Sequence, residues 1–260
     1  MQALIFTDLD GTLMEHETYS IEPAREMLNE LAKRRLDVVL NSSKTRAEIE
    51  AIQARLHMDA PFICENGAGL FNYRDQNTQV TEKQFAAPVQ DWLQTVHALR
   101  AENDYQFQGF SDWSAGEISA QTGLDQASAS LAKQREFSEP ILWRDTSRAL
   151  EEFRNRLQEL NLQLLEGGRF HSIQGQYDKA TAMHWLMQQD THQHKLVVAL
   201  GDSPNDEAML NAATIAVVVK SAKSDRLQLD RPAHVIRTSS PGPLGWQSAM
   251  KKVLEILDSN

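Results

Sequence analysis

Cysteine is almost missing from this chain: Cys64 is the only one among 260 residues. That excludes an internal disulfide and a multi-cysteine metal site, and it suits a reducing compartment. Long hydrophobic runs are missing as well. The longest, LVVAL (196–200) and IAVVV (215–219), are five residues each, against the roughly 20 that a membrane-spanning helix needs. No basic leader with a signal-length apolar stretch precedes Asp8, so a cytoplasmic protein with no membrane partner is expected. Positive charge is in deficit, with 26 Lys+Arg against 36 Asp+Glu and a net charge of −10. Such a field opposes a nucleic-acid backbone, and an anionic substrate would need a local basic pocket.

The chain is 41% hydrophobic and 24% charged, which is ordinary for a folded protein. Its length allows one large domain or two smaller ones. Short apolar runs recur at 3–6, 38–40, 62–64, 196–200, 215–219 and 235–236. Because they are continuous rather than alternating, they suggest strands buried on both faces. Helical stripes lie between many of them: Met27, Leu28 and Leu31; Ile49, Ile52 and Leu56; Met183, Leu186 and Met187. Strands alternating with helices predict an α/β fold with a doubly wound parallel sheet.

The middle of the chain has another character. Tyr105, Phe107 and Gly109 alternate with polar neighbours, ILW (141–143) is a strand candidate, and LQLLEGGRFHSI suggests a hairpin turning at Gly167 and Gly168. Leu150, Phe153, Leu157 and Leu160 form a helical stripe. The expected organisation is a core made of residues 1–84 and 177–260 with an inserted α+β cap, 85–176. A terminal helix is expected around Trp246, Met250, Val253 and Leu257.

Ligands of open parallel sheets gather beyond the carboxyl ends of the strands. There the sequence places Asp8, Asp10, Gly11 and Thr12; Asn41, Ser42, Ser43 and Lys44; Glu65, Asn66 and Gly67; and GDSPND (201–206), with Asp202, Asn205 and Asp206. Lys179 opens the helix leading into the LVVAL strand. Side chains at i and i+2 of a strand point the same way, so Asp8 and Asp10 would crowd two like charges. A hard cation such as Mg²⁺, held by Asp8, Asp10 and Asp202, would relieve them. Acidic groups, hydroxyls and one lysine at a sheet edge are also what phosphoryl transfer to a carboxylate requires. Each piece has a plainer alternative. Asp-Gly is a common turn pair, Thr45-x-x-Glu48 is a capping-box pattern for which Ser42 and Ser43 could be neighbouring caps, and Lys179 alone would be a solvated helix lysine. The four pieces in one order favour the chemical reading.

DLDGT (8–12), Ser42, Lys179 and GDSPND resemble the four motifs of the haloacid dehalogenase-like hydrolases. The inserted α+β segment resembles the cap of their sugar-phosphatase branch. SSKTRAE (42–48), ENGAG (65–69), REFSEPILWR (135–144) and GGRFHSI (167–173) are similar to mannosyl-3-phosphoglycerate phosphatases, although Asn41 departs from the smaller residue expected there. The resemblance implies a Mg²⁺-dependent phosphomonoesterase acting on a glycosyl-3-phosphoglycerate or another phosphorylated sugar. It implies Asp8 as nucleophile, Asp10 as acid and base, and Lys179 and Ser42 on the phosphoryl group. Thr12 and Asp206 would support them, with Asn205 at the substrate or in this supporting layer. Ser43, Lys44, Arg46, Glu65, Asn66, Arg169 and His171 would then bind substrate, with Arg169 and His171 on one strand face of the cap. A broader sugar-phosphate phosphatase, a phosphomutase and a non-catalytic phosphometabolite-binding protein are the alternatives. The intact carboxylate and lysine set disfavours the last.

Overall fold

The structure is a computed structural model describing residues 3–16, 18–74, 80–167, 169–189 and 196–259. Along the chain run β1 (Ala3–Thr7), α1 (Glu22–Lys33), β2 (Asp37–Asn41), α2 (Arg46–Leu56), β3 (Phe62–Cys64), β4 (Gly69–Arg74) and β5 (Val80–Gln84). Then come α3 (Leu93–Glu102), β6 (Phe107–Gly109), α4 (Ala115–Thr122), α5 (Gln126–Ala132), β7 (Ser138–Trp143), α6 (Ser147–Glu159), β8 (Leu162–Glu166) and β9 (His171–Gly175). The last stretch holds α7 (Lys179–Met187), β10 (Leu196–Gly201), α8 (Glu207–Asn211), β11 (Ile215–Lys220), β12 (His234–Pro241) and α9 (Gly242–Ser259). Among the described residues, no helix is long and apolar enough to cross a membrane.

Two compact units result: Met1–Ser43, Asp59–Lys83 and Asp178–Asn260 form the first, and Lys44–Met58 with Gln84–Tyr177 the second. The first unit is built on an eight-stranded sheet of order β12-β11-β10-β1-β2-β3-β4-β5. The pairs from β12 to β3 are parallel and β4 runs antiparallel to β3. Every residue of β1 is buried, as are Val197 to Gly201 and Ile215 to Val219. Consecutive side chains of a strand alternate faces, so both faces of these strands are covered. Helix α9 buries Trp246, Met250, Val253 and Leu257 and packs on α1, β11 and β12. Helix α7 lies against β3, and α8 against β10 and β11.

The second unit holds a four-stranded antiparallel sheet of order β6-β7-β9-β8. Its apolar cluster joins Val96 of α3 and Phe153 and Leu157 of α6 to Phe107, Ile141, Leu162, Leu164 and Ile173 of the strands. Tyr105 lies just outside β6 yet packs there, its ring edge-on to Phe153 at 5.3 Å. Leu160 ends the α6 stripe exposed, because the helix has already closed at Glu159. The β8–β9 hairpin forms in the register Leu162↔Gly175 to Glu166↔His171. Of its two turn glycines, Gly167 donates its N–H to the Phe170 carbonyl at 3.1 Å, and Gly168 lies outside the described residues.

Candidate active site

Strand β1 stops at Thr7, so Asp8 begins a turn rather than continuing the pleat. Its N–H donates to the Leu200 carbonyl at 2.9 Å, seating it beside β10. Behind it, Trp246 Nε1 donates to Thr7 Oγ1 at 3.0 Å and Thr7 Oγ1 donates to the Asp8 carbonyl at 2.8 Å. The following loop closes on itself. Thr12 and Met14 N–H donate to the Leu9 carbonyl, Gly11 N–H donates to Met14, and Asp10 bridges Met14. Gly11 is required twice over. Its φ is +80°, and a Cβ there would sit 2.9 Å from Asp202 Oδ2.

Lys179 is the first residue of α7 and is fully buried. Its Nζ donates to Asp8 Oδ1 at 2.5 Å and to Asp206 Oδ1 at 2.6 Å. The helix begins here because Asp178 caps it, accepting from the N–H groups of Ala180 and Thr181. Asp206 is used at both ends, since its Oδ2 accepts from Asp202 N–H at 3.0 Å and Ser203 N–H at 3.1 Å. Gly201 makes room for this: a Cβ would fall 2.5 Å from Asp206 Cβ. Asp202 is fixed from two other sides, Thr12 Oγ1 donating to its Oδ1 at 3.2 Å and Ser221 Oγ to its carbonyl at 2.7 Å.

Burial governs the electrostatics. It pushes Asp8 well above the usual carboxylate range; Lys179 pulls the other way, while Asp206 and Asp202 add to the rise. Burial, then Asp206, pushes Asp202 up to about 6 against Lys179 and Thr12. For Lys179, burial alone would favour the neutral amine, but Asp206 and Asp8 outweigh it and hold the ammonium above its ordinary value. Three carboxylates therefore share one ammonium.

The excess negative charge fits a divalent cation. Among the described residues, ligand atoms of Asp8, Asp202 and Asp206 lie within 4.8 Å of one another. This trio differs from the expected one: Asp206 takes the place of the Asp10 carboxylate. The physical reason is that Asp8 and Asp10 lie in a turn beyond β1, where strand parity does not align them. Both Asp206 oxygens already accept hydrogen bonds, so Asp8 and Asp202 are the better direct oxygen ligands.

Next to this cluster in sequence order come Ser42, Glu65 and Asn66. Ser42 is fully buried, its N–H donates to the Ile63 carbonyl, and its own carbonyl accepts from Asn66 N–H at 2.9 Å. Glu65 and Asn66 are buried with φ of 45° and 62°. Asn205 Nδ2 reaches Asn66 Oδ1 at 3.4 Å, and Ser203 Oγ donates to Asn205 Oδ1 at 2.6 Å. The capping question resolves at Thr45. Thr45 is the N-cap of α2 and forms the complete box with Glu48, so Ser42 and Ser43 do not cap that helix.

Lys44, Arg46, Arg169 and His171 belong to the second unit. Lys44 is buried and lies 3.7 Å from Glu48, which Arg135 approaches at 3.8 Å. Arg46 pairs with Glu50 at 2.8 Å on the exposed side of α2. Arg169 is exposed and donates to the Gln121 carbonyl. His171 pairs across the hairpin with Glu166, and burial lowers its pKa. Sequence reasoning did not single out Thr7, Ser221 or Asp178 as site residues. Ser221 follows IAVVVK and stood to be found by carrying the strand-end census one strand further, whereas Thr7 gave no signal.

A family model described as haloacid dehalogenase-like hydrolase matches residues 5–229. The fold is similar to that of a haloacid dehalogenase-like hydrolase from B. subtilis, with a TM-score of 0.70, 18% identity, and 96% of this chain and 99% of that one covered. It is also similar to the sucrose-phosphatase of Synechocystis sp., solved with sucrose and phosphate, with a TM-score of 0.65, 16% identity and 96% and 97% covered. A Bacteroides thetaiotaomicron protein described among the phosphatases of the haloalkanoate superfamily gives a TM-score of 0.67 at 19% identity, with 97% and 95% covered. At these identities the structural likenesses speak for the fold alone.

Proposed function

The chain belongs to the haloacid dehalogenase-like hydrolases, and from that premise we propose that it is a Mg²⁺-dependent phosphomonoesterase. The observation that carries the reading is the buried ammonium of Lys179 held by Asp8 and Asp206 at the carboxyl edge of a parallel sheet, with Asp202 beside them. Lys179 occupies Asp8 Oδ1, and Asp8 Oδ2 carries no hydrogen bond among the described residues. That oxygen is the nucleophile. It attacks phosphorus, the Oδ2–P bond forms as the ester P–O bond breaks, and an aspartyl phosphate results. Asp10 gives its proton to the leaving oxygen and afterwards takes one from a water whose oxygen bonds phosphorus as the Oδ2–P bond breaks, releasing phosphate and restoring the Asp8 carboxylate. Lys179 and the Ser42 hydroxyl meet the charge on the phosphoryl oxygens. Thr12 and Asp206 keep Asp202 and Lys179 in place, and Asn205 ties Ser203 to Asn66 beside them. Bound by Asp8 and Asp202, Mg²⁺ would neutralise the crowded carboxylates and draw charge from the phosphoryl group.

The substrate we propose is mannosyl-3-phosphoglycerate or a close glycosyl-3-phosphoglycerate, released as the glycosylglycerate and phosphate. This finer reading is supported by the motif strings in both units, and the broader sugar-phosphate phosphatase is its competitor. The test is phosphate release from a panel of sugar phosphates and glycosyl phosphoglycerates with Mg²⁺ present. A preference for the phosphoglycerates supports the finer reading, and equal rates across simple sugar phosphates would remove it. A chelator should abolish turnover, and Mg²⁺ should restore it where Ca²⁺ does not, because Ca²⁺ prefers more and longer oxygen contacts. Full activity after chelation would overturn the metal assignment.

A further inference from the structure

We propose that Asn41 is a positioning residue that sets the reach of Lys179, an inference resting on the phosphatase reading above. Asn41 closes β2 and is fully buried. Its side-chain Nδ2 donates to the backbone carbonyl of Lys179 at 2.8 Å, with Met209 Sδ at 3.4 Å as a weaker second acceptor. The other end of the amide, Oδ1, is buried without a hydrogen-bond partner among the described residues. Leaving a buried acceptor unpaired is unfavourable, and an apolar side chain of the same shape would fill the space without that cost. The amide is therefore explained by the one strong bond it makes, and that bond ends on the residue whose ammonium holds Asp8 and Asp206.

A lysine on a four-carbon stem has many rotamers, so fixing its ammonium between two oxygens requires a fixed backbone origin. Three grips act on that origin. Asp178 caps the helix from the preceding position. The Gly67 backbone presses so close that a Cβ there would lie 1.9 Å from the Asp178 carbonyl. Asn41 then holds the first carbonyl of α7 from β2. The Lys179 carbonyl also takes the ordinary helical bond from four residues on, so the Asn41 amide is an added tether rather than a replacement. The departure at Asn41 is thus part of how this chain aims its lysine.

Asn41→Leu removes the donor and keeps the branched shape; Asn41→Ala removes both. With Mg²⁺ and a small aryl phosphate, well below the melting transition, both variants should lose kcat by about ten- to a hundredfold, the range expected for a misplaced reacting group. KM should stay within about threefold, and only the alanine variant should melt at a lower temperature. A side chain that merely packs would give the reverse, with leucine restoring activity along with stability, and that outcome would overturn the proposal. Wild-type kcat in either folded variant would overturn it too. A second readout needs no turnover. In protein labelled with ¹⁵N-lysine, the Lys179 ammonium resonance, identified by its loss in Lys179→Arg, should shift in both Asn41 variants; an unmoved resonance rejects the inference. Were the unmodified protein inert toward every phosphate ester, the phosphatase reading would fall and that resonance alone would decide the role of Asn41.

Discussion

Lys179 in the first unit and Glu139 in the second are both charged groups taken out of water, 0% and 3% exposed, yet each unit handles its charge differently. Lys179 is answered by two carboxylates and sits past the ends of strands whose faces are wholly covered. Glu139, on β7, accepts from the N–H and hydroxyl of Ser111 at 2.8 and 2.6 Å, pinning the short turn that follows β6. Gly109 makes that approach feasible, since a Cβ there would meet Glu139 Oε1 at 2.0 Å. In the first unit charge opposes charge and the surplus is negative, an arrangement that invites a cation and an anionic substrate together. In the second a carboxylate serves local architecture. Buried charge alone therefore does not mark a reacting centre, whereas several interlocked charges at strand ends make a candidate for one.

The comparison breaks most visibly at Asp8. Asp8→Asn keeps the shape and removes the proposed nucleophile, so phosphate release should fall on the order of 10³-fold or more. Melting temperature should hold or rise, because one of three crowded carboxylates has lost its charge. Phosphate release near the wild-type rate, by a continuous phosphate assay, would remove Asp8 from the chemistry.

Next in size is Lys179→Met. Taking away the one ammonium leaves Asp8 and Asp206 facing each other in a dry site, and breaking such a buried pair costs roughly 3–5 kcal/mol. Urea titration at pH 7.5 should show that loss. It should shrink when the pH is lowered below about 6, where Asp202 takes up its proton, the Asp8 carboxylate being likewise held above the ordinary range by burial. A loss below about 1 kcal/mol would show that the first unit does not depend on its charge network.

Much of this arrangement is readable in the chain, and what escapes has a common cause. Runs such as ALIF, LVVAL and IAVVV announce buried parallel strands because no polar residue interrupts them. β4 and β5 were not foreseen, since GLFNYR and VTEKQ carry polar and charged residues on an outer part of the sheet. VI (235–236) understated β12, which runs through the polar HVIRTSSP as the last strand of the sheet. At the site, the motifs name Asp8, Lys179, Asp202 and Asp206, but not how the carboxylates divide their oxygens. Asp206 joins the cluster and the Asp10 carboxylate does not, because the turn after β1 abandons strand parity. The bonds from Asn41 to Lys179 and from Trp246 to Thr7 join residues 138 and 239 positions apart. No periodicity in a sequence encodes that proximity; Trp246 reads as helix packing, and only the fold shows that its ring nitrogen also supports the end of the strand that leads into Asp8.

A pH experiment sharpens the contrast from the second unit. Burial, against the opposing bonds from Ser111 and with Asp112 adding to the rise, pushes Glu139 from 4.5 up to about 7. Arg135 favours its charged form; His97, 3.2 Å from Ser111 Oγ, and Arg100, paired with Asp112, complete the charged surroundings. Below pH 4.5 the folded and unfolded chains both hold this proton. As pH rises from 4.5 toward 7 the unfolded chain gives it up first, so the unfolded state binds fewer protons and stability falls. The difference corresponds to about 3 kcal/mol at most, and the loss persists above pH 7. Glu139→Gln should remove this part of the slope and stabilise the protein at pH 8 by about 1–3 kcal/mol in urea titrations. It should leave hydrolysis of a small aryl phosphate unchanged. A parallel stability curve for wild type and variant between pH 5 and 8 would show that Glu139 titrates normally.

The smallest expected effect concerns Arg169, where the two units differ most in what a charge is for. Its guanidinium is exposed and donates to the Gln121 carbonyl, a contact of the kind that contributes little to folding. Arg169→Ala should therefore shift stability by less than about 0.5 kcal/mol. Under the proposed substrate, however, the phosphate ester carries a glycerate carboxylate, and a protein of net charge −10 must supply local cations to it. A guanidinium can leave a backbone carbonyl for a carboxylate because the second bond is charge-assisted and the first is not. kcat/KM for the glycosyl phosphoglycerate should then fall about tenfold, while a small aryl phosphate, which has no carboxylate, should be hydrolysed as before. Equal losses on both substrates would assign Arg169 to the integrity of the hairpin. An unchanged rate on both would leave it as a solvated arginine.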